Sequence, residues 1–246
     1  MSHCVTSEIE EQQLVLKYFS GKSRGTFVEV GANDPVAGSQ TWLLEQNGWH
    51  GVLVEPQAKH CARLRAQRKN AQVFQVACSA PDQPGERDLL IAADSGSSTL
   101  QRQRDTHGTR FIGTERVQVT TLDRVLQAAG IEQIDFLSLD VEGHELEVMR
   151  GLDFGKFRPA LILIEDGARD LRRHRFLVKS GYRLVKRTQL NNWYVPRGQD
   201  FQMSSLGERL ELFRKMFLGL PFRKLRLYLR RRREAAGLEK ELNAPR

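Results

Sequence analysis

The chain has 246 residues, 40% of them hydrophobic and 28% charged, which is typical of a soluble globular protein with one sizeable α/β domain and an extension. No apolar run reaches the length that crosses a bilayer, and the N-terminus carries acids where a secretory signal would be basic and then apolar. We therefore expect a cytoplasmic protein. Its three widely spaced cysteines indicate neither a disulfide framework nor a zinc site.

The net charge of +8 is concentrated near the C-terminal end. Residues 201–246 hold twelve Lys or Arg against five Glu, and the rest of the chain is close to neutral. Nucleic-acid binding by the whole domain is therefore not indicated.

Residues 1–25 predict a lead-in helix that packs on a sheet edge, because apolar residues recur there at helical intervals. From residue 26 to residue 200, short apolar runs alternate with helical patterns, which favours one domain with a doubly wound, mostly parallel sheet. The runs predicted as parallel strands are 26–30, 51–55, 72–79, 134–139 and 159–165. The runs 182–186 and 193–196 predict a final hairpin at the sheet edge.

The alternation is interrupted between residues 81 and 120. Residues 88–93 and 116–119 predict two extra strands, and the segment between them is long and polar. Segments of this kind inside a domain are usually functional or disordered, and we interpret this one as a mobile loop over a ligand site.

Four predicted strands end in an acid: Glu29, Glu55, Asp140 and Glu165. Ligands of open α/β sheets bind at these strand ends, and Glu55 has the spacing from the Gly31 loop at which such folds present an acid to a ribose. That loop lacks the GxGxxG pattern that closes on a pyrophosphate, which disfavours NAD and a P-loop. A nucleoside without phosphates fits better, and S-adenosylmethionine is the common one.

An ordered set of motifs resembles the FkbM-type methyltransferases between residues 26 and 197. The motifs are Val28-Glu-Val-Gly-Ala-Asn33, Leu53-Val-Glu-Pro56, Val76-Ala-Cys-Ser79, Thr121-Leu-Asp123, Asp135-Phe-Leu-Ser-Leu-Asp-Val-Glu-Gly-His-Glu145 and Leu163-Ile-Glu165. The resemblance implies a class I methyltransferase fold, a seven-stranded, mostly parallel sheet with an antiparallel edge strand. It also implies S-adenosylmethionine across the strand ends and, usually, an oxygen of a sugar or natural product as the methyl acceptor.

Carried over to this chain, the resemblance implies a cofactor site made by Glu29, Gly31, Asn33, Glu55, Ala77 and Ser79. The first three match the loop beside the methionine part, Glu55 matches the acid that holds the ribose hydroxyls, and 77–79 match the adenine side. Two positions depart from the family pattern, since Pro35 stands where glycine is frequent and Ser138 where many members carry lysine.

The segment that faces the methyl group contains Asp140, Glu142 and His144. We predict Asp140 or His144 as the general base that removes the acceptor proton, with Glu142 orienting the substrate or its partner. The alternative is that His144 points outward and that Glu142 and Glu145 only complement a helix N-terminus. Carboxylates also suit divalent cations, but a metal is not favoured and no metal ligand is assigned.

Residues 201–246 predict a basic amphipathic helical extension that starts at a capping box, Ser205 to Glu208, and is broken or restarted at Pro221. For residues 205–233 we weigh docking on the domain or on a second copy in a homodimer, contact with an anionic membrane at its inner face, and nucleic-acid binding, which is the least expected. A small-molecule or glycan acceptor is the expected substrate. A non-catalytic nucleoside-binding or scaffold protein is the alternative function.

Overall fold

A computed structural model describes residues 2–93, 95–100, 109–167, 171–226 and 228–229. The strands are β1 (Thr26–Val30), β2 (His50–Val54), β3 (Ala71–Phe74), β4 (Ala77–Cys78), β5 (Gly85–Ala92), β6 (Phe111–Thr120), β7 (Phe136–Leu139), β8 (Leu161–Glu165), β9 (Tyr182–Thr188) and β10 (Asn191–Pro196). The helices are α1 (Ser2–Tyr18), α2 (Trp42–Gln46), α3 (Ala58–Gln67), α4 (Leu122–Ala128), α5 (Glu145–Arg150), α6 (Arg172–Lys179) and α7 (Leu206–Phe213), and the π-helical turn Arg214–Leu218 follows α7.

Seven strands form the main sheet in the order β3-β2-β1-β7-β8-β10-β9. The pairs among β3, β2, β1, β7 and β8 are parallel, and β10 is antiparallel to both β8 and β9. The predicted α/β fold with a mostly parallel seven-stranded sheet is confirmed. The antiparallel strand β10 lies one place in from the edge, because the turn after β9 brings β10 back between β9 and β8.

Both faces of the sheet are covered, which explains why its central strands read as continuous apolar runs. In β8, Ile162 and Ile164 belong to one hydrophobic cluster, whereas Leu161 and Leu163 belong to the cluster on the other face. This division follows from the two-residue period of a strand. All four side chains are buried, and this packing fixes the position of the carboxyl end of β8.

A second sheet has three strands in the order β4-β6-β5. The two extra strands predicted between residues 81 and 120 are β5 and β6, which pair antiparallel. The prediction of one strand over residues 72–79 was wrong, because this run divides into β3 of the main sheet and β4 of the second sheet. Pairing of Ala77 and Cys78 with β6 is the reason for the division. Of the polar segment that follows β5, residues 94 and 101–108 lie outside the described residues.

The terminal segments contact the same domain. In the lead-in helix α1, the Tyr18 hydroxyl donates to the carbonyl of Ala160 at 3.1 Å. At the other end, α7 begins with the predicted capping box, since the Ser205 hydroxyl accepts from the Glu208 amide and the Glu208 carboxylate accepts from the Ser205 amide. Residues 220–226 are helical again, directly around Pro221. Among the described helices, none combines the length and apolar character needed to cross a membrane.

Candidate functional site

A cleft lies where the carboxyl ends of β1, β2 and β7 meet the second sheet. It contains about 560 Å³ of atom-free space when its open mouth is included. Its polar lining includes Asn33, Glu55, Asp140, Glu142 and His144. The cleft therefore brings together most of the residues that the sequence indicated.

Gly31 directly follows β1 and lines the cleft. Its φ of +88° lies in the left-handed region, and a Cβ at this position would lie 1.7 Å from the carbonyl oxygen of Asp140. Only glycine allows the loops that follow β1 and β7 to approach this closely. The close approach keeps Asp140 beside the loop that carries Asn33.

Glu55 follows β2 and is buried at one side of the cleft. One carboxylate oxygen accepts from the Asn33 amide at 3.1 Å and the other from the Gln57 amide at 2.9 Å. Each oxygen has a second lone pair, so the group can accept two further hydrogen bonds. Burial raises the pKa of Glu55 to about 7, with a smaller contribution from the charge of Glu115.

Asn33 supplies a second acceptor in the cleft lining. Its side-chain oxygen Oδ1 is buried and has no hydrogen-bond partner among the described residues. A buried amide oxygen of this kind is costly unless a donor reaches it. Together with the remaining lone pairs of Glu55, this oxygen gives the cleft lining acceptor capacity that suits a ligand with hydroxyl or ammonium donors.

Another part of the cleft lining is apolar. It is formed by Val76, Ala77 and Cys78 around β4, by Leu89 of β5 and by Leu100. An apolar wall beside two acceptors fits a nucleoside, whose base is flat and whose ribose is rich in hydroxyls. The residues present thus fit S-adenosylmethionine, with Ala77 on the base side as the resemblance implies.

Glu29 has a different environment from the one that the resemblance implies. It lies outside the cleft lining, and its buried carboxylate accepts from the Ser39 hydroxyl at 2.9 Å, the Gln40 amide at 2.7 Å and the Thr41 hydroxyl at 2.5 Å. The guanidinium of Arg68 lies 3.9 Å away. In this structure Glu29 fixes the loop between β1 and α2.

A tight turn joins β7 to α5 on the floor of the cleft. Glu142 and Gly143 both have positive φ, +52° and +96°. The Glu145 carboxylate accepts from the amides of Gly143 and Val141, at 2.8 and 3.4 Å, and so holds the turn closed. On the other side, the Thr99 hydroxyl donates to the Glu142 carbonyl at 3.1 Å and connects the turn to the second sheet.

His144 is buried and lines the cleft, so the alternative in which it points outward was wrong. Its Nε2 lies 2.9 Å from the Ser79 hydroxyl. Burial lowers the pKa of His144, with Glu147 opposing and Arg87 adding to the shift, which favours the neutral imidazole. Ser79, predicted on the adenine side, contacts this histidine and is not part of the cleft lining.

Asp140, Glu145 and Glu165 form an acid cluster in which one carboxylate oxygen from each lies within 4.8 Å of the others. Asp140 is an exposed residue and lines the cleft. The lost hydration and the charges of Glu165, Glu142 and Glu145 raise its pKa well above the ordinary value. The sequence pointed to Glu165 only as an acid at a strand end and gave it no role.

The acid cluster contains three oxygen ligands of the kind that a divalent cation takes. Its inner member, Glu145, already has a cationic partner, because Nε of Arg173 lies 3.2 Å from its Oε2. The guanidinium therefore neutralises part of the charge that a metal ion would neutralise.

Comparison with known proteins gives one family and a group of distant structures. Residues 29–184 match the family described as "Methyltransferase FkbM domain". No protein with curated function matches the sequence.

The similar solved structures include a precorrin-6y C5,15-methyltransferase from Geobacter metallireducens, with 10% identity, 75% of this chain and 85% of that chain covered, and a TM-score of 0.40. An O-methyltransferase described as putative, from Klebsiella pneumoniae, has 10% identity, coverage of 78% and 86%, and a TM-score of 0.38. A SAM-dependent methyltransferase from Leishmania major has 11% identity, coverage of 80% and 73%, and a TM-score of 0.36. Similarity at this level carries no argument about the reaction.

Proposed function

The chain belongs to the FkbM family of S-adenosylmethionine-dependent methyltransferases, and we propose that it methylates a sugar hydroxyl in a polysaccharide, glycolipid or natural product. The observation that carries the proposal is that one cleft is lined both by the acceptors of Glu55 and Asn33, which suit a nucleoside, and by Asp140. In this proposal the part of the cleft around Asp140 is its methyl-transfer end.

The cofactor, when bound, supplies a methyl group that its sulfonium has already made reactive. The residues of this chain then have to hold it and shield it. Glu55 would accept from the ribose hydroxyls, and Oδ1 of Asn33 would accept from a further donor of the cofactor. Gly31 would leave room for the methionine part, and Ala77 would lie on the side of the base.

Asp140 is the general base in this proposal. It would accept the proton of the acceptor hydroxyl and so make that oxygen nucleophilic. A carboxyl whose pKa is raised above its ordinary value is a stronger base than an ordinary aspartate, which suits this role. His144 is the second candidate, but its Nε2 already contacts Ser79 and its pKa is lowered.

A sugar suits the methyl-transfer end of the cleft because a sugar carries several hydroxyl donors. The acid cluster and Glu142 present carboxylate oxygens, which only accept hydrogen bonds when ionised. Several donors from one acceptor molecule offset the repulsion between these carboxylates. In this role Glu142 orients the acceptor beside Asp140.

Calorimetric titration with S-adenosylhomocysteine tests the cofactor site. We expect the wild type to bind and Glu55→Ala to bind at least roughly tenfold more weakly, because two charge-assisted hydrogen bonds are lost. The control is Glu86→Ala, which removes an exposed carboxylate of β5 and should bind as the wild type does. Equal binding by Glu55→Ala would reject the assignment.

Transfer of a labelled methyl group to a panel of nucleotide sugars and polysaccharide fragments tests the reaction. We expect Asp140→Asn to lower turnover by roughly 100-fold or more while it still binds S-adenosylhomocysteine. His144→Gln should retain most of the activity. A protein that binds the cofactor product but methylates no acceptor would support the non-catalytic alternative.

A further inference from the structure

The C-terminal segment, here residues 206–229, displays most of the exposed large hydrophobic side chains of the described chain. They are Leu206, Leu210, Phe213, Leu218, Phe222, Leu225, Tyr228 and Leu229, with exposures between 47% and 79%. Elsewhere in the described residues only Val36, Ile112 and Leu190 are comparable, and these three lie apart in the sequence. A concentration of this kind marks an interaction surface.

Seven of these residues follow one another at helical intervals. From Leu206 to Leu229, with Tyr228 left out, the steps are four, three, five, four, three and four residues. The five-residue step, from Phe213 to Leu218, falls on the π-helical turn Arg214–Leu218, where the Gly219 amide donates to the Arg214 carbonyl five residues earlier.

The π turn keeps the two halves of this row in phase. In an uninterrupted α-helix each residue advances by about 100°, so a five-residue step would rotate the second half away from the first. A π turn takes up about one additional residue, and this removes that rotation. The π turn therefore keeps these seven side chains in a single line along the segment, and we call this line the apolar row.

Basic side chains accompany the apolar row. Within 206–226 there are six Lys or Arg and two Glu, and the sequence continues with four arginines at 230–233. Both acids are in ion pairs, Glu208 with Lys186 at 2.6 Å and Glu211 with Lys215 at 2.8 Å. The surface around the apolar row is therefore net positive.

The segment is attached to the domain at the π turn. Met216 is fully buried, and the side-chain amide of Asn192 lies 3.8 Å from its sulfur and donates to Asp166 at 3.1 Å. Asp166 directly follows Glu165 of the acid cluster. The attachment point thus lies at the same rim of the sheet as the proposed methyl-transfer end of the cleft.

We propose that the apolar row and its basic flanks bind an anionic lipid surface. Leucine and phenylalanine side chains insert into the boundary between headgroups and acyl chains, and lysine and arginine pair with the lipid phosphates. Binding of this kind needs no methyl transfer, so it stands apart from the proposed function. It has the consequence that the methyl-transfer end of the cleft lies close to the lipid surface.

Two other occupants fit the segment less well. A second copy would bring two net positive surfaces together, which opposes a symmetric homodimer. Nucleic acid would interact with the basic side chains and with the three exposed aromatic rings, but the five exposed leucines offer it neither hydrogen bonds nor stacking surfaces.

Flotation of the full chain with vesicles tests the proposal. We expect binding to phosphatidylcholine vesicles that contain about 30% phosphatidylglycerol and roughly tenfold weaker binding to phosphatidylcholine alone. Phe222→Glu with Leu225→Glu should lower binding to the anionic vesicles by roughly tenfold or more. The matched control is Ile112→Glu, an equally exposed apolar position on the second sheet, which should bind as the wild type does.

A second variant separates charge from apolar contact. Lys224→Glu with Arg226→Glu changes exposed side chains only, and we expect it to weaken binding to the anionic vesicles by roughly tenfold. Both double variants should retain the melting temperature of the wild type and its methyl transfer to a soluble acceptor. Loss of lipid binding with intact methyl transfer therefore separates this proposal from the proposed function.

Any of four results would overturn the proposal. The first is flotation of either double variant at the wild-type level, and the second is equal flotation of the wild type with neutral vesicles. The third is a wild-type dimer in light scattering that the Phe222→Glu and Leu225→Glu changes dissociate, with no lipid binding. The fourth is binding of an RNA oligonucleotide that the wild type prefers to the anionic vesicles.

Discussion

The carbonyl oxygen of Asp140 occupies the space into which a side chain at Gly31 would project, 1.7 Å from the position of its Cβ. β1 and β7 are neighbours in the parallel sheet, and the Asp140 amide donates to the Val30 carbonyl at 3.1 Å, so neither strand end can move away without loss of sheet pairing. Because Gly31 has no side chain, the proposed base Asp140 lies close to the loop that carries Asn33.

Gly31→Ala should destabilise the fold by several kcal/mol, on the order of 3 or more, because it adds both a backbone clash and left-handed strain. Gly38→Ala is the matched control: its φ is also positive, +78°, but nothing lies within 4 Å of its Cβ. The control should cost about 1 kcal/mol. Denaturant unfolding of both variants measures the difference, and equal costs would mean that the contact with Asp140 is relieved without strain.

Arg68→Met should cost roughly 3–5 kcal/mol, because it leaves buried carboxylates without their cation. The buried guanidinium pairs with Glu45, donates to the hydroxyls of Ser39 and Thr41 at 3.0 and 2.8 Å, and lies 3.9 Å from Glu29. The control Arg63→Met breaks an exposed pair with Asp34 and should cost less than about 1 kcal/mol. If both substitutions cost the same in denaturant unfolding, the buried network contributes no more than a surface pair.

Glu55 should make the unliganded protein less stable as the pH rises from 4.5 to 7. Its pKa rises from 4.5 to about 7 on folding, so the folded state binds the extra proton in this window. The contribution is fully present below pH 4.5, is lost as the pH passes 7, and amounts to roughly 3 kcal/mol. Unfolding free energies of the wild type and Glu55→Gln between pH 4 and pH 8 measure it.

Glu55→Gln should flatten the decline, since glutamine does not titrate. Glu86→Gln, the exposed control, should retain the wild-type slope. A wild-type slope in Glu55→Gln would show that the proton is bound elsewhere.

Glu165→Gln should shift the acid limb of the pH–rate profile to lower pH. The charge of Glu165 raises the pKa of Asp140, so its removal lets the base ionise earlier. Glu147→Gln distinguishes the two candidate bases, because the charge of Glu147 acts on the pKa of His144. A limb that moves with Glu147→Gln and not with Glu165→Gln would identify His144 as the base.

The sequence supported the architecture and the location of the site for identifiable reasons. Continuous apolar runs such as Leu161–Ile164 predict strands buried on both faces, and their alternation with helices predicts a parallel sheet. Acids that follow such runs must lie at the carboxyl edge, which is where Glu55 and Asp140 are found. These inferences need only the local pattern and the geometry of parallel strands.

Other features depended on partners far away in the sequence. Ala77 and Cys78 continue the apolar run of β3, and only their pairing with β6 removes them from the main sheet. The carboxylate of Glu29 looks equivalent to that of Glu55 in the sequence, yet the loop at 39–41 and Arg68 surround it. In the same way, only the fold brings Ser79 to His144 and Glu165 to Asp140.

The sequence by itself thus determined which strands exist, which of their ends carry acids, and to which family the chain is similar. The tertiary structure decided which of those acids face the cleft, which are neutralised inside the protein, and that one π turn keeps the apolar row of the C-terminal segment in phase. The physical reason is that hydrophobic periodicity indicates which face of a helix or strand is buried, whereas the role of a carboxylate depends on the charges and hydrogen-bond donors around it. Those neighbours come from other elements and meet only when the chain folds.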